Sequence, residues 1–158
     1  MESPENGSKH LVRFNKTEAV VSHRDSELQR ITIDAYTNMK SPITFISLIS
    51  GDNQRLVTSI GLNDDEHAHF SLICKRVILQ LGDPLVILDT HKDKTYSRFS
   101  AVSAPPFVRF YIGISLVDRA GYGLGTLCIA DTIAHKEAPD LTTLKQLARE
   151  AERIITNW

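Results

Sequence analysis

The sequence predicts an α+β domain in which helices cover both faces of a central antiparallel β-sheet. Three features of the chain lead to this prediction: short segments rich in β-branched residues, dense turn formers between consecutive segments, and apolar stripes at helical spacing. The predicted elements follow the order α-β-β-α-β, then a mixed segment, then β-β-α. Strands that are joined by short turns form hairpins, and hairpins make neighbouring strands antiparallel.

Length, composition and charge are those of an ordinary single globular domain. The chain has 158 residues, of which 42% are hydrophobic and 23% charged, so it can bury a core without a disulfide or metal. Its net charge of −1 provides no basic field for a phosphate backbone, and nucleic acid is not expected as a partner. Its apolar runs are shorter than the roughly 18 residues of a membrane span, so no membrane partner is expected.

The chain has two cysteines, Cys74 and Cys128, and their sequence context indicates whether the protein resides in a reducing or an oxidising compartment. Neither has a near cysteine neighbour, which excludes a zinc ribbon or a CxxC redox motif. Each lies in an apolar context that is typical of a free buried thiol. We therefore expect a reducing, cytoplasmic location.

The N-terminal part of the chain is predicted to be disordered at first and then helical. Residues 1–12 are polar and predicted to be disordered, whereas 13–158 are predicted to form a single domain. A helix is expected over about 17–39 because apolar residues recur there at steps of three and four. These residues are Leu28, Ile31, Ala35 and Met39.

A strand pair and a second helix are predicted next. The β-branched segments 43–49 and 55–61 are expected to form a hairpin. The helix is expected over 63–81, with Asn63 or a neighbouring aspartate as its N-cap and Gly82 at its end. Its buried stripe is expected to comprise Phe70, Ile73, Cys74, Val77, Ile78 and Leu81.

The C-terminal half begins with a short strand at 85–89 and a mixed segment at 90–107 with one or two helical turns. Residues 109–131 then form two strands around a turn in which Gly121 and Gly123 suit positive φ.

These two strands carry bulky side chains on one face and small or polar ones on the other. We expect the bulky face to pack against the first and last helices, and the small face to lie under 63–81 and 90–107. The space above the small residues is filled either by close helix packing or by a ligand, and the costly burial of Arg109 and Tyr111 favours a ligand. The bulky side chains are those of Phe110, Ile112, Ile114, Leu116, Leu127 and Ile129, and the small face carries Arg109, Tyr111, Gly113, Ser115, Thr126, Cys128 and Ala130.

The segment FYIGISLVDRAGYGLGTLCIAD, at 110–131, resembles the signature of GAF domains. That signature reads approximately F-Y-A-G-x-P-L, a turn with glycine, and then G-T-L-C-x-x-D. Three earlier stretches are similar to the family as well: LVTSIGL at 56–62, FSLICKRVI at 70–78 and LVILDTHKD at 85–93. The resemblance covers roughly 17–156. It implies a GAF/PAS-like antiparallel sheet that serves as a small-molecule sensor or a dimerisation module.

The resemblance also implies a ligand between the sheet and the 90–107 segment, while two departures leave the ligand class open. The pair Arg98 and Phe99 comes later than the R-F of the family's D-x-R-F pattern. Ser115 stands where the family usually has proline.

Three specialised activities of GAF domains are not expected here. Covalent bilin attachment needs a cysteine in 90–107, which has none. Free methionine-sulfoxide reductases need reactive cysteines around an enclosed pocket, whereas buried apolar thiols are inert. The N-K…F…D-E constellation of cyclic-nucleotide GAF domains is not found. His67 and His69, beside three acidic residues, are interpreted as a solvated helix start rather than a metal site.

The last helix is predicted over 140–158, with Asp140 as its N-cap, and it carries a stripe with the 3-4-3-4-3 rhythm of a helical seam. Part of this stripe can pack on the sheet while the remainder meets a partner. The pattern runs to Trp158, which either packs on its own sheet or marks continuation into a dimer or another domain. The stripe comprises Leu141, Leu144, Ala148, Ala151, Ile155 and Trp158.

We predict a sensory or regulatory domain that binds a small molecule and signals through its N- and C-terminal helices to an effector domain or protein. It is expected to form a homodimer through these helices and not to be an enzyme. Two alternatives stay open: a ligand-free dimerisation scaffold, and a thiol redox enzyme of the free methionine-sulfoxide reductase type. A bulky residue at Gly113 is expected to abolish ligand binding while sparing the fold. No catalytic residue, metal ligand or cofactor is predicted, and the ligand-binding residues are expected to be Cys74, Asp89, Phe99, Arg109, Tyr111, Gly113, Ser115 and Cys128.

Overall fold

The computed structural model describes residues 23–80 and 82–156. The predicted disorder at 1–12, the domain boundary that follows it, Leu81 and Trp158 lie outside these residues. The helices are α1 (His23–Met39), α2 (Asp64–Ala68), α3 (Ser71–Leu79), α4 (Ser100–Ser103) and α5 (Thr142–Thr156). The strands are β1 (Ile43–Ser50), β2 (Asn53–Ile60), β3 (Leu85–Ile87), β4 (Phe110–Val117) and β5 (Gly123–Asp131).

The strands form one five-stranded sheet in the order β2-β1-β5-β4-β3, and every neighbouring pair is antiparallel. This confirms the predicted α+β class and the two hairpins. In the turn between β4 and β5, Gly121 has φ +90°, as expected, whereas Gly123 already begins the strand. The prediction for Gly123 is wrong because the turn closes earlier, where the backbone N–H of Asp118 donates to the carbonyl of Tyr122.

One face of the sheet packs against α1 and α5, as predicted. The aliphatic side chains of β4 and β5 meet Leu28, Ile31 and Ala35 of α1 in one buried cluster. The apolar stripe of α5 belongs to the same cluster, so the 3-4 spacing of its residues places them in the core of this chain. The α5 residues buried there are Leu144, Leu147, Ala148, Ala151 and Ile155.

The helix predicted over 63–81 is two helices, and the single-helix prediction is wrong. Asn63 does cap the first of them: its side chain accepts from the backbone N–H of Glu66, whose carboxylate accepts from the N–H of Asn63. The α-helical pattern is then interrupted by a 3₁₀-type turn, because the N–H groups of His69 and Phe70 donate to carbonyls three residues back instead of four. This break turns the ring of Phe70 into the core, where it is fully buried.

Candidate functional site

The face of the sheet opposite α1 and α5 is built from three rows of cross-strand neighbours, and we call it the small face. Strand register decides which residues share a row, because neighbours on antiparallel strands lie directly opposite one another. The rows are Ile43, Ala130 and Tyr111; Phe45, Cys128 and Gly113; and Ser47, Thr126 and Ser115.

The third row places three hydroxyl groups side by side, and we call Ser47, Thr126 and Ser115 the hydroxyl row. All three residues are buried, with at most 2% of their surface exposed. At one end, Nε2 of His67 lies 3.0 Å from Oγ of Ser47. At the other end, Oγ of Ser115 accepts from the backbone N–H of Gly82 at 3.3 Å. A polar strip therefore crosses three strands beneath an otherwise apolar layer.

The second row contributes to a cluster of thiol and phenol groups under α3. Sγ of Cys74 lies 3.8 Å from Sγ of Cys128, and the hydroxyl of Tyr111 lies 2.9 Å from Sγ of Cys128. Burial raises the pKa of Tyr111 and of Cys128 well above their ordinary values. Hydrogen bonds from Cys128, Thr126 and Tyr111 lower the pKa of Cys74, although its burial opposes this effect.

Gly113 lies at the point where α3 comes closest to the sheet. A Cβ atom at this position would be 2.4 Å from Cγ2 of Val77 and 2.7 Å from the hydroxyl of Tyr111. The expectation that a bulky residue at Gly113 spares the fold is therefore wrong, since even a methyl group does not fit. The small residue is needed because α3 and the ring of Tyr111 already occupy the space above it.

A cleft of about 410 Å³ opens between β2 and the two helices α2 and α3, next to one end of the hydroxyl row. Nε2 of Gln54 donates to the carbonyl of Ser71 at 3.0 Å across its base. Oε1 of Gln54 is buried and has no hydrogen-bond partner among the described residues. The cleft is lined by Asp52, Asn53, Gln54, Leu56, Asp64, His67, Ala68 and Ser71, and we call it the His67 cleft.

The sequence does not predict this cleft, because its pattern around His67 indicates a solvated helix start. His67 is only 7% exposed, and its ring packs edge-on against Phe45 with centroids 5.5 Å apart. Burial lowers its pKa, an effect that Asp64 partly opposes, so its neutral form is favoured. The signal that was available is the spacing of His67 and Phe70, which are three residues apart and share the inward side of the helical region.

Neither a protein-family model nor a curated protein sequence matches the chain. Solved structures do match it. The GAF domain of a phosphoenolpyruvate-protein phosphotransferase from Coxiella burnetii has a TM-score of 0.65 and 15% identity, over 96% of this chain and 94% of that one. Residues 122 to 287 of a methyl-accepting chemotaxis protein have a TM-score of 0.66 and 13% identity, over 95% and 98%. A type II free methionine-R-sulfoxide reductase from Thermoplasma acidophilum has a TM-score of 0.63 and 14% identity, over 85% and 93%.

The chain has the GAF fold. This confirms the resemblance drawn from the 110–131 segment. The similar structures include a domain of a phosphotransferase, part of a chemotaxis protein and a reductase, so the GAF fold alone does not decide the function. The arrangement of side chains on the small face has to decide it.

Within this GAF fold, the structure brings together some of the predicted ligand-binding residues and separates others. Cys74, Tyr111, Gly113 and Cys128 meet under α3, and Ser115 lies one row away in the hydroxyl row.

The 90–107 segment covers one end of the small face, where Tyr96 and Ala101 pack in one cluster with Tyr111, and we call it the covering segment. The other three predicted residues are Phe99, which lies in it, and Asp89 and Arg109, which flank it and bond to its backbone. Nη1 of Arg109 donates to the carbonyls of Val102 and Val108, at 3.1 and 3.0 Å. Asp89 accepts from the backbone N–H of His91 at 3.0 Å, at the start of a short 3₁₀ turn. The ring of Phe99 packs edge-on against the ring of Tyr96, with centroids 5.1 Å apart.

Two further properties concern the described residues as a whole. Within 23–80 and 82–156, no group of three or more His, Cys, Asp or Glu side chains is arranged to hold a metal ion. None of the helices in these ranges is both long enough and apolar enough to cross a membrane.

Proposed function

We propose that this chain is a regulatory domain that binds a small polar molecule on the small face and has no catalytic activity of its own. The observation that carries the proposal is the buried hydroxyl row, which is connected to the His67 cleft by the 3.0 Å contact between Oγ of Ser47 and Nε2 of His67. Polar groups are expensive to bury, and binding sites typically place a few of them in an apolar surrounding to orient a ligand.

The groups around the cleft indicate the chemistry of the ligand. Asp52 and Asp64 bring two carboxylates to its wall, and the buried Oε1 of Gln54 is an acceptor without a partner in the described part of the chain. Acceptors of this kind favour a ligand that presents N–H or O–H donors. We expect a small molecule with an ammonium or amide group rather than an anion.

The site predicted from the sequence, between the sheet and the 90–107 segment, belongs to the same face. Tyr96 and Ala101 of that segment, together with Val108 just after it, pack in one cluster with Tyr111. A ligand at the level of Tyr111 or Cys128 therefore requires these side chains to move, whereas the His67 cleft is already open. We propose that binding begins in the cleft and that the covering segment responds.

The signal would leave through α1 and α5, which pack on the opposite face and contact each other. Two-state repacking of such elements is the usual way in which a bound ligand alters a partner domain. Because the stripe of α5 is buried in the chain's own core, a homodimer through the terminal helices would need a different surface. Ile33 and Tyr36, on the exposed side of α1, offer one.

The contact between Ser47 and His67 resembles the pairing of a nucleophile with its base. Ser47 is only 2% exposed and does not line the cleft, whereas His67 does. A substrate in the cleft would meet the imidazole before the hydroxyl, which supports a binding role over hydrolysis.

The experiment is native mass spectrometry of freshly purified protein, compared with its denatured mass. We expect extra mass that is lost on denaturation, and the lost mass identifies the ligand class. The substitution Ala68→Trp, at an exposed position lining the cleft, should remove the extra mass. Leu72→Trp, at an exposed position of α3 outside the cleft lining, should retain it.

A bare chain mass in all three proteins would contradict the proposal. A dimer in the same spectra would then favour the second candidate, a ligand-free dimerisation scaffold. One observation supports that candidate: the close approach of α3 to Gly113 shows that part of the small face is filled by the chain itself.

A further inference from the structure

We infer that Cys74 and Cys128 are a redox pair that closes to an intramolecular disulfide when a small peroxide reaches it. The pair consists of the two cysteines of the chain, one on α3 and one on the central strand β5. Their Sγ atoms are 3.8 Å apart with both thiols free. The pair lies on the same small face as the ligand site proposed above, but the inference does not depend on that proposal.

The geometry requires little movement. A disulfide has an S–S distance of about 2.05 Å, so the two sulfur atoms must approach by roughly 2 Å, which a side-chain rotation and a small shift of α3 can provide. Cys74 and Cys128 belong to different layers, the helix and the sheet, and 54 positions separate them along the chain. The crosslink would therefore tie α3 to the sheet across the small face.

The neighbours of the pair prepare one thiol to react first. The thiol of Cys128 donates to Oγ1 of Thr126 at 3.3 Å, and the hydroxyl of Thr126 in turn donates to Sγ of Cys74 at 3.6 Å, so in this relay Cys128 keeps its proton and Cys74 is the acceptor. The hydroxyl of Tyr111 lies 2.9 Å from Sγ of Cys128 and 3.9 Å from Sγ of Cys74. Hydrogen bonds of this kind stabilise a thiolate, in agreement with the lowered pKa of Cys74. Cys74 is thus the nucleophile, and Cys128 is the thiol that resolves the product.

The chemistry balances with a peroxide as the two-electron oxidant. The Cys74 thiolate attacks one oxygen of hydrogen peroxide, the O–O bond breaks, and the departing hydroxide takes a proton to become water. The sulfur of Cys128 then attacks the sulfenic sulfur of Cys74, the S–O bond breaks, and an S–S bond forms. The thiol proton of Cys128 and the leaving hydroxide make the second water, so two thiols are oxidised and one peroxide is reduced.

Burial restricts which oxidants can act. Cys74 is 1% exposed and Cys128 is fully buried, so a bulky disulfide such as oxidised glutathione does not reach them while α3 is in place. A peroxide is close to water in size and can enter during local opening of a nine-residue helix. The site should therefore respond to peroxide and resist large thiol reagents.

The test treats the whole folded protein with hydrogen peroxide, blocks remaining thiols with N-ethylmaleimide under denaturing conditions, and maps peptides by mass. We expect a Cys74–Cys128 crosslinked peptide within a single chain, which dithiothreitol converts back to two thiols. Oxidised glutathione, added at the same number of oxidising equivalents as the peroxide, should yield at least tenfold less of the crosslinked peptide. In the variant Cys128→Ala, dimedone that is present while the peroxide-treated protein is unfolded should label Cys74, because its sulfenic acid then has no resolving thiol.

Three results of the measurement on the unaltered chain would overturn the inference. The first is that both thiols remain free after a peroxide dose that oxidises the urea-unfolded protein. The second is irreversible sulfinic acid at either cysteine without the crosslink. The third is a crosslink between two chains instead of within one. Because these readouts need no substitution, the inference can be tested even if Cys128→Ala fails to fold.

Discussion

Arg149 of α5 donates a hydrogen bond of 3.2 Å to the backbone carbonyl of Ser115, the residue at one end of the hydroxyl row. The hydroxyl of Ser115 accepts from the backbone N–H of Gly82, just beyond α3. Ser115 of β4 therefore contacts both Gly82, just beyond the end of α3 on the small face, and α5, on the opposite face of the sheet. If ligand binding moves α3, Ser115 is placed to pass that movement to α5.

Replacing Arg149 with alanine should loosen the end of β4. The change removes the bond to Ser115 and the 2.8 Å ion pair with Glu152, whose carboxylate accepts from the N–H of Val117. Because Arg149 is 45% exposed, solvent screening limits the loss to about 1 kcal/mol of unfolding free energy. Hydrogen exchange should show faster exchange at Val117. Exposed Arg153 on the same helix is the control, and an equal effect from Arg153→Ala would contradict the link.

The substitution Gly113→Ala should destabilise the fold by about 1–3 kcal/mol, because its methyl group would overlap Cγ2 of Val77. The second substitution Val77→Ala makes room for it. In a double-mutant cycle measured by urea unfolding, the pair should be less destabilising than the sum of the single changes by about 1 kcal/mol. Additive effects would show that the two positions do not compete for the same space.

Buried His67 should make stability depend on pH. Its folded pKa lies below its unfolded value of about 6.5, so the stability it contributes is complete above that pH and decreases as the pH falls through the folded pKa. In chemical unfolding between about pH 7.5 and pH 5, His67→Gln should lose less stability than the unaltered chain. The control is His91→Gln, which removes an exposed imidazole instead of the buried one. Identical pH profiles for all three proteins would refute a buried neutral His67.

The stripe of α5 predicts a contrast between two leucines. Leu144→Ala removes a fully buried side chain from the core between α5 and the sheet and should lower the unfolding free energy by about 2–4 kcal/mol. Leu79→Ala, at a position that is 81% exposed, should change it by less than about 0.5 kcal/mol. Thermal and urea unfolding of both variants measures the difference. A small loss at Leu144 would mean that α5 is not anchored by its stripe.

Much of the fold could be predicted from local patterns. Alternation in β4 and β5 identified the aliphatic face that packs on α1 and α5, because side chains of a strand point to opposite faces with a period of two. Turn formers located both hairpins. The stripe Leu28, Ile31 and Ala35 identified the buried side of α1 in the same way. The segment at 110–131 was sufficient to indicate the GAF fold.

The candidate site could be predicted only in part. The sequence placed Tyr111, Gly113 and Cys128 on one face, but it assigned Arg109 to that face as well, although its side chain binds a carbonyl of the covering segment. It did not pair Cys74 with Cys128, because they are far apart along the chain. It also missed the inward turn of His67, since a continuous helix was expected where the chain breaks.

The sequence by itself determined the fold, the strands of both hairpins and the buried faces of the first and last helices, because helix and strand periodicity are properties of neighbouring residues. Only the tertiary structure decided that Ser47, Thr126 and Ser115 share a row and that Cys74 meets Cys128. Strand register and helix docking bring these groups together, and both depend on packing between segments that are distant in sequence. The chemistry of the small face therefore arises from contacts that no local pattern records.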